Sequence, residues 1–148
     1  MLNKTMFPQS PDPCGVILLH ASAVSIGEGA LIFLGPSGIG KSTICERLRA
    51  CSTPLADDKI YLIPQNGDWL VTNATSRSFH KPLLCSEIES FQLTPLRAIF
   101  RLYQEENASI EKLLPHQVCT HLVEAFFDFF WHIDWTSDNK RYVFSSLA

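Results

Sequence analysis

The sequence has no excess of basic residues and no basic stripe. Its 148 residues contain 12 Lys and Arg against 15 Asp and Glu, so the formal net charge is −3. The Lys and Arg residues are not clustered, and the aromatic residues are not interleaved with them. A protein that binds nucleic acid neutralises a row of backbone phosphates with such a cluster. We therefore expect no nucleic acid among the partners.

A long hydrophobic run is also lacking. The longest nearly apolar stretch, residues 16–26, is interrupted by a histidine and serines, and it is shorter than the roughly 20 residues that cross a bilayer. The first 14 residues carry three prolines and no apolar segment of the signal-peptide type. We expect no membrane partner and a cytoplasmic location.

The sequence contains no Cys-x-x-Cys pair, and its number of cysteines is odd. The five residues are Cys14, Cys45, Cys51, Cys85 and Cys119. Disulfide frameworks use even numbers of cysteines, and many zinc sites contain Cys-x-x-Cys pairs. Buried or partly buried free thiols of a cytosolic protein are the first interpretation, and a metal or redox site is the alternative.

No internal repeat, low-complexity tract or linker divides the chain. Its length, with 46% hydrophobic and 18% charged residues, is typical of one globular domain that buries a real core. We predict a loose N-terminal arm over residues 1–15 and a single folded domain over 16–148.

What the chain does contain is the complete pattern of a phosphate-binding loop, for which the alternative interpretation is a Gly-rich turn that binds nothing. Residues 35–42 read Gly-Pro-Ser-Gly-Ile-Gly-Lys-Ser, after an apolar stretch of strand type and before a segment with helical spacing of apolar residues. Lys41 is expected to reach the β- and γ-phosphates of ATP, and the Ser42 hydroxyl to bind the accompanying Mg²⁺. The predicted nucleotide-binding residues are Gly35, Pro36, Ser37, Gly38, Ile39, Gly40, Lys41, Ser42 and Thr43.

Two adjacent carboxylates, Asp57 and Asp58, follow the loop at a short distance. The helix after the loop is expected to span about nine residues, hence roughly 14 Å, and residues 51–56 can return over a comparable distance if extended. This return would deliver the pair to Lys41 and Ser42. One carboxylate could then hold Mg²⁺ while the other accepts the proton of an attacking hydroxyl. The alternative is a solvated turn that happens to carry two acids.

The remaining pattern predicts a mixed sheet, in an α/β or α+β arrangement, because helices and strands do not alternate strictly. A buried strand over 16–24 is expected to turn at 27–29 into the strand before the loop. The other predicted elements are a hairpin over 60–71 with an Asn-Gly turn, a strand over 97–103, a helix over 115–133 and a shorter helical segment over 140–147.

His20 lies two residues before Ser22, on the strand predicted to pair with the pre-loop strand. A single histidine in an apolar strand is usually a hydrogen-bonded core residue, yet this position can equally lie near the γ-phosphate and assist proton transfer. Arg77 is similarly either a surface residue or a phosphate-neutralising arginine. Both alternatives stay open.

The predicted helix over 115–133 has more apolar side chains than one core-facing stripe requires. The stripe consists of Val118, Leu122, Phe126, Phe129 or Phe130, and Ile133. Phe127, Trp131 and Trp135 are surplus to it. They are covered by a second layer within the chain, or they form an exposed apolar patch. Such a patch would be either a subunit contact of a homo-oligomer or a groove for a peptide.

Three of these segments together carry a family resemblance. Leu19-His20-Ala21-Ser22-Ala23, the loop over 35–43, and Leu55-Ala56-Asp57-Asp58 resemble, in order and spacing, the catalytic core of HPr(Ser) kinase/phosphorylase. The nucleotide site of that superfamily is related to the one in phosphoenolpyruvate carboxykinase. Residues 95–102 and 110–115 look like the HPr-kinase-related subgroup of small bacterial peptide-modification clusters. The resemblance covers residues 16–135 and implies the mixed-sheet P-loop fold of this type.

The resemblance implies an ATP- and Mg²⁺-dependent serine kinase acting on a protein or peptide. Lys41 would grip the phosphates, Ser42 and Asp58 would serve the magnesium, and Asp57 would be the base, with His20 beside it. In two-way members of the family the same acid assists phosphoserine dephosphorylation. Residues 86–90 lack the Arg-Gly of the HPr-kinase signature, which argues against HPr as the substrate.

Two other functions fit the same residues. One is a regulatory nucleotide-binding module without phosphotransfer, and the other is a small-molecule kinase. The intact Asp pair favours the enzyme over the regulatory module. The sequence leaves open whether ATP, GTP or pyrophosphate is the donor.

Overall fold

A computed structural model describes residues 15–74, 85–107 and 109–130 of the chain. The strands are β1 (Ile17–His20), β2 (Ser22–Ile26), β3 (Gly29–Leu34), β4 (Thr53–Ala56), β5 (Lys59–Gln65), β6 (Asp68–Asn73) and β7 (Thr94–Arg101). The helices are α1 (Lys41–Arg47), the short α2 (Cys85–Ile88) and α3 (Pro115–Phe130), and a 3₁₀ turn spans Leu48–Ala50. The predicted segment over 140–147, Arg77, Trp131, Ile133, Trp135 and all but the last residue of the predicted N-terminal arm lie outside the described residues.

The seven strands form one curled sheet in the order β1-β5-β6-β7-β3-β2-β4. Only β3 and β7 run parallel among the paired strands of the described chain. β7 pairs with β6 through its first two residues and with β3 through the rest of its length. The fold is therefore mixed α/β and mostly sheet, and the expectation of a mixed sheet is confirmed.

The single buried strand predicted over 16–24 is wrong, because the chain breaks there into β1 and β2. β1 pairs with β5, whereas β2 pairs with β3 and β4. At the break, the Ala21 N–H donates to the Asp58 carbonyl at 3.1 Å. A continuous apolar pattern in the sequence cannot show where the pairing partner changes, because both strands consist mainly of similar buried side chains.

Two hairpins turn where the sequence predicted. Gly27, with φ of 58°, connects β2 to β3. Asn66 and Gly67 connect β5 to β6 with positive φ of 53° and 87°. Positive φ at both central residues is the type I′ geometry that an Asn-Gly pair favours.

The main core lies between the sheet and α3. Ala125 and Phe126 of α3 are buried against a group of apolar side chains from the strands, which includes Leu19, Ile32, Leu34, Ile60 and Val71. Phe127, surplus in the predicted stripe, packs against this core and lies edge-on to Phe126 at 5.5 Å between ring centroids. Packing within the chain therefore accounts for Phe127. None of the described helices combines the length and apolar character needed to cross a lipid bilayer.

Candidate nucleotide site

The glycine-rich loop connects the end of β3 to the start of α1, as its motif requires. Gly35 is buried with φ of 153°, and a Cβ atom at this position would lie only 2.7 Å from Cγ2 of Ile39. Gly40 precedes the helix with φ of 108°. Only glycine adopts both backbone geometries without strain. The loop thus turns tightly, and its tip, Pro36 to Gly38, is exposed to solvent.

Lys41 is the buried cation of this loop. Its side chain is turned back along the loop, where Nζ donates to the carbonyl oxygens of Gly35 at 2.8 Å and Pro36 at 3.1 Å. The residue is only 7% exposed. The neighbouring Ser42 and Thr43 are exposed in the first turn of α1. A buried ammonium whose partners are neutral carbonyls is suited to exchange them for phosphate oxygens.

Burial lowers the pKa of Lys41 below its ordinary value of 10.5. Asp128 and Asp58 oppose this lowering most strongly, Arg101 adds to it, and Asp57 opposes it. These charged groups therefore lie close enough to the Lys41 ammonium to interact with it electrostatically. They come from β7, α3 and the bend after β4.

Asp57 and Asp58 occupy the bend between β4 and β5, and both are exposed. The hydroxyl of Ser22, which is fully buried, donates to the Asp57 carbonyl at 2.8 Å and lies 3.3 Å from its Oδ1. The Asp58 carbonyl accepts the Ala21 N–H. The break between β1 and β2 thus anchors the backbone of both acids.

The path from the loop to these acids follows the predicted return. α1 and the 3₁₀ turn lead away from the loop, and β4 brings the chain back along β2. At the end of this path, the Asp57 and Asp58 carboxylates interact electrostatically with the Lys41 ammonium. The structure therefore brings the loop lysine close to the acid pair.

His20 lies beside Asp58, with its Nε2 3.3 Å from Oδ1. Nζ of Lys59 is 3.7 Å from the other Asp58 oxygen. The predicted strand neighbour of His20 was wrong, because His20 ends β1 and faces Lys59 on β5 rather than a residue of the pre-loop strand. The resemblance placed His20 next to Asp57, whereas the contact seen is with the second acid of the pair.

Cys45 lies on α1, close enough to Asp57 for the two side chains to interact electrostatically. Burial, and to a smaller extent Asp57, raises the pKa of the Cys45 thiol to about 11. Cys45, Cys51 and Cys119 are free thiols; Cys45 is partly buried, as expected, whereas Cys51 and Cys119 are exposed. Cys14 lies outside the described residues.

One comparison with known proteins decides the family. The model of the ScmC family, described as SynChlorMet cassette protein ScmC, matches residues 6–143. The chain belongs to the ScmC family. Assignment to the HPr(Ser) kinase/phosphorylase superfamily is therefore wrong. A search of curated proteins found no significant match.

The wrong assignment has a physical explanation. It depended on short segments, namely residues 19–23, the glycine loop, residues 55–58, and residues 95–102 and 110–115. Short motifs constrain local chemistry rather than which family the chain belongs to. The ScmC match covers nearly the whole chain instead.

One charged residue beside the glycine-rich loop was not predicted from the sequence. Arg101 ends β7, directly beside the loop, because β7 pairs with β3 in parallel and Arg101 faces Leu34. Sequence reasoning considered Arg77, which lies outside the described residues. The available signal was an arginine near the end of the strand predicted over 97–103. Local pattern does not show that this strand pairs with β3.

Proposed function

We propose that this ScmC-family protein binds ATP with Mg²⁺ and transfers the γ-phosphoryl group to a hydroxyl. The observation that carries the proposal is the buried Lys41 ammonium, held at the start of a glycine loop and interacting with Asp57 and Asp58. The lysine that we propose binds phosphate therefore lies close to the acid pair. The finer architecture that we propose for the mixed sheet is a P-loop kinase fold.

On the donor side, Lys41 binds the phosphates and Ser42 with Asp58 holds the metal. No three His, Cys, Asp or Glu side chains group into a metal site within the described part of the chain. Mg²⁺ commonly needs only one or two protein oxygens, because phosphates and water supply its other ligands. The exposed Ser42 hydroxyl and the exposed Asp58 carboxylate meet that requirement.

On the acceptor side, Asp57 takes the proton of the attacking hydroxyl. Ser22 fixes its backbone and lies near its carboxylate, while the carboxylate itself stays open to solvent. The hydroxyl oxygen forms a bond to the γ-phosphorus, the bond from that phosphorus to the bridging oxygen breaks, and ADP leaves. His20 contacts Asp58 and orients the second acid.

The exposure of the acid pair favours a protein or peptide acceptor. Small-molecule sites enclose most of the ligand in a cleft, whereas Asp57 and Asp58 lie on an exposed bend. A serine on a flexible segment could reach such a bend. We therefore propose a serine of a protein or peptide as the acceptor, and the cytoplasm, which supplies ATP, as the location.

Transfer of labelled phosphate tests this proposal. The protein is incubated with γ-labelled ATP, Mg²⁺ and serine-containing peptides, including any encoded beside its gene. Lys41→Ala should abolish ATP binding. Asp57→Asn should leave binding within about twofold and slow transfer by roughly 10²- to 10⁴-fold, the usual contribution of a general base. Asp68→Asn, in the distant β5–β6 hairpin, is the matched control and should change neither.

The outcomes separate the possible functions. Transfer by Asp57→Asn at the wild-type rate would contradict the base assignment. ATP binding without transfer to any acceptor would favour the regulatory module. Asp58→Asn should raise the Mg²⁺ concentration needed for half-maximal transfer, and an unchanged requirement would contradict its place at the metal.

A further inference from the structure

Arg101 occupies the strand end that lies against the first residue of the loop. It pairs in parallel register with Leu34, and the next N–H, that of Leu102, donates to the Leu34 carbonyl at 2.9 Å. A Cβ atom at Gly35 would lie 3.5 Å from Nη1 of Arg101. The guanidinium therefore adjoins the loop backbone at Gly35.

The Lys41 ammonium approaches the same point. Its Nζ donates to the carbonyls of Gly35 and Pro36, and Arg101 contributes to lowering the Lys41 pKa. Two cations thus converge on the start of the loop. Like charges at short range repel each other, so the proximity of the two cations costs free energy, which the nearby carboxylates oppose and a bound anion would oppose further.

The hydrogen bonds of Arg101 are incomplete. Its Nε is buried and has no hydrogen-bond partner in the described part of the chain. Nη2 lies 3.6 Å from Oε2 of Glu124, at ion-pair rather than hydrogen-bond distance, and the guanidinium carbon lies 5.5 Å from the centre of the Tyr103 ring. Buried donors are almost always paired in proteins, and an unpaired one needs an explanation such as a ligand.

The surrounding side chains hold the guanidinium in place. Glu124 also lies 3.0 Å from Nδ1 of His121, whose other ring nitrogen lies 3.0 Å from the Tyr103 hydroxyl. The Arg101 side chain is only 16% exposed. α3 thus presents a carboxylate that positions the arginine without satisfying its donors.

We propose that Arg101 is a second phosphate-binding cation, which together with Lys41 binds the terminal phosphate of a nucleoside triphosphate. The inference rests on the proposed function and deepens it, because it assigns the preference for triphosphate over diphosphate. A guanidinium presents its N–H groups as a planar fork that matches phosphate oxygens. The γ-phosphate carries the largest charge of the three phosphates of ATP, and it is absent from ADP.

Comparison of ATP and ADP affinities tests this inference. Dissociation constants of both nucleotides with Mg²⁺ are measured by calorimetry for the wild type, Arg101→Gln and Arg97→Gln. Arg97 is the matched control, since it lies on the same strand but against Gly29, at the opposite end of β3. Arg101→Gln should weaken ATP binding roughly tenfold or more and ADP binding by less than about threefold. Arg97→Gln should change neither affinity.

Two further variants distinguish phosphate binding from a structural contact. If Arg101 only paired with Glu124, Arg101→Gln and Glu124→Gln would lower the melting temperature alike and leave the ATP-to-ADP affinity ratio unchanged, which would overturn the proposal. We expect Glu124→Gln to keep or raise that ratio.

If Arg101→Gln does not fold, the Arg101→Lys variant tests the proposal instead. Lysine lacks the planar fork of guanidinium N–H groups, so the ATP-to-ADP affinity ratio should fall, and an unchanged ratio overturns the proposal. A wild type that binds no nucleotide would overturn the proposed function as well, whereas nucleotide binding with an unchanged ratio in the Arg101 variants overturns this inference alone.

Discussion

Lys41, which we propose as a phosphate-binding residue, is held at a cost to the stability of the fold. Its ammonium is buried against the carbonyl oxygens of Gly35 and Pro36, and burial lowers its pKa despite three nearby carboxylates. The protein therefore maintains a charge in a place where that charge is disfavoured. The phosphate that we propose for this loop would offset the cost, as ligands do in pre-organised sites.

This cost predicts a pH-dependent difference between the wild type and Lys41→Met. The folded-state pKa lies below the unfolded value of 10.5, so at pH values below both pKa values both states hold the proton and the full cost is present. Between the folded pKa and 10.5, the native state loses its proton while the unfolded state keeps it. The free energy of unfolding of the wild type should therefore rise relative to the variant as pH increases through that window.

Urea unfolding of both proteins from pH 7 to pH 10.5 measures this difference. The exposed Lys112 provides the control, because Lys112→Met removes a lysine without removing a buried charge. A difference between the wild type and Lys41→Met that stays constant with pH would contradict the prediction.

The loop and the β5–β6 hairpin use glycine for different reasons, although both require positive φ. A Cβ atom at Gly35 would collide with Ile39, whereas nothing lies within 4 Å of one at Gly67. The first position is limited by packing as well as by backbone conformation. The second is limited by conformation alone.

Alanine at these two positions should therefore have different consequences. Gly67→Ala should lower the free energy of unfolding by about 1 kcal/mol and leave ATP affinity unchanged. Gly35→Ala should lower it by more, about 2 to 3 kcal/mol, and should also weaken ATP binding, because the loop must change shape. Chemical denaturation and calorimetry measure the two quantities.

A double variant isolates the steric part of the Gly35 effect. Ile39→Ala removes the atom that the new Cβ would meet, so Gly35→Ala combined with Ile39→Ala should cost less than the sum of the single changes. Simple additivity of the two changes would show that the collision contributes nothing.

The sheet as a whole assembles the site from segments far apart in sequence. The loop follows β3, the acids follow β4, and Arg101 ends β7. A ligand that joins these segments binds only the folded chain. Nucleotide binding should therefore stabilise the entire molecule, not only the loop.

This coupling predicts a thermal shift. Mg²⁺ and ATP at about 100 times the dissociation constant should raise the free energy of unfolding by about 2.7 kcal/mol, which corresponds to roughly 5 to 10 °C in Tm. Lys41→Ala should show no shift under the same conditions. Equal shifts in the two proteins would mean that the ligand does not bind through Lys41.

Short-range pattern predicted the parts of the fold that depend on neighbouring residues. The hairpin at Asn66-Gly67, the strand before the loop and the start of α3 at Pro115 all lie where they were expected. The break at Ala21 was not predictable, because it depends on a hydrogen bond to Asp58, far along the chain. The prediction that His20 lies on the strand paired with the pre-loop strand failed for the same reason.

The residues of the candidate site also fall into a group predictable from local sequence and a group that was not. Local spacing along the chain already indicated the glycine-rich loop, its lysine and the two acids that follow, because one loop, one helix and one return strand link them. Only the tertiary structure decided that His20 meets Asp58 and that Arg101 adjoins Gly35. These contacts depend on which strands pair, and that choice is made by backbone hydrogen bonds and apolar burial between distant segments, which no local pattern encodes.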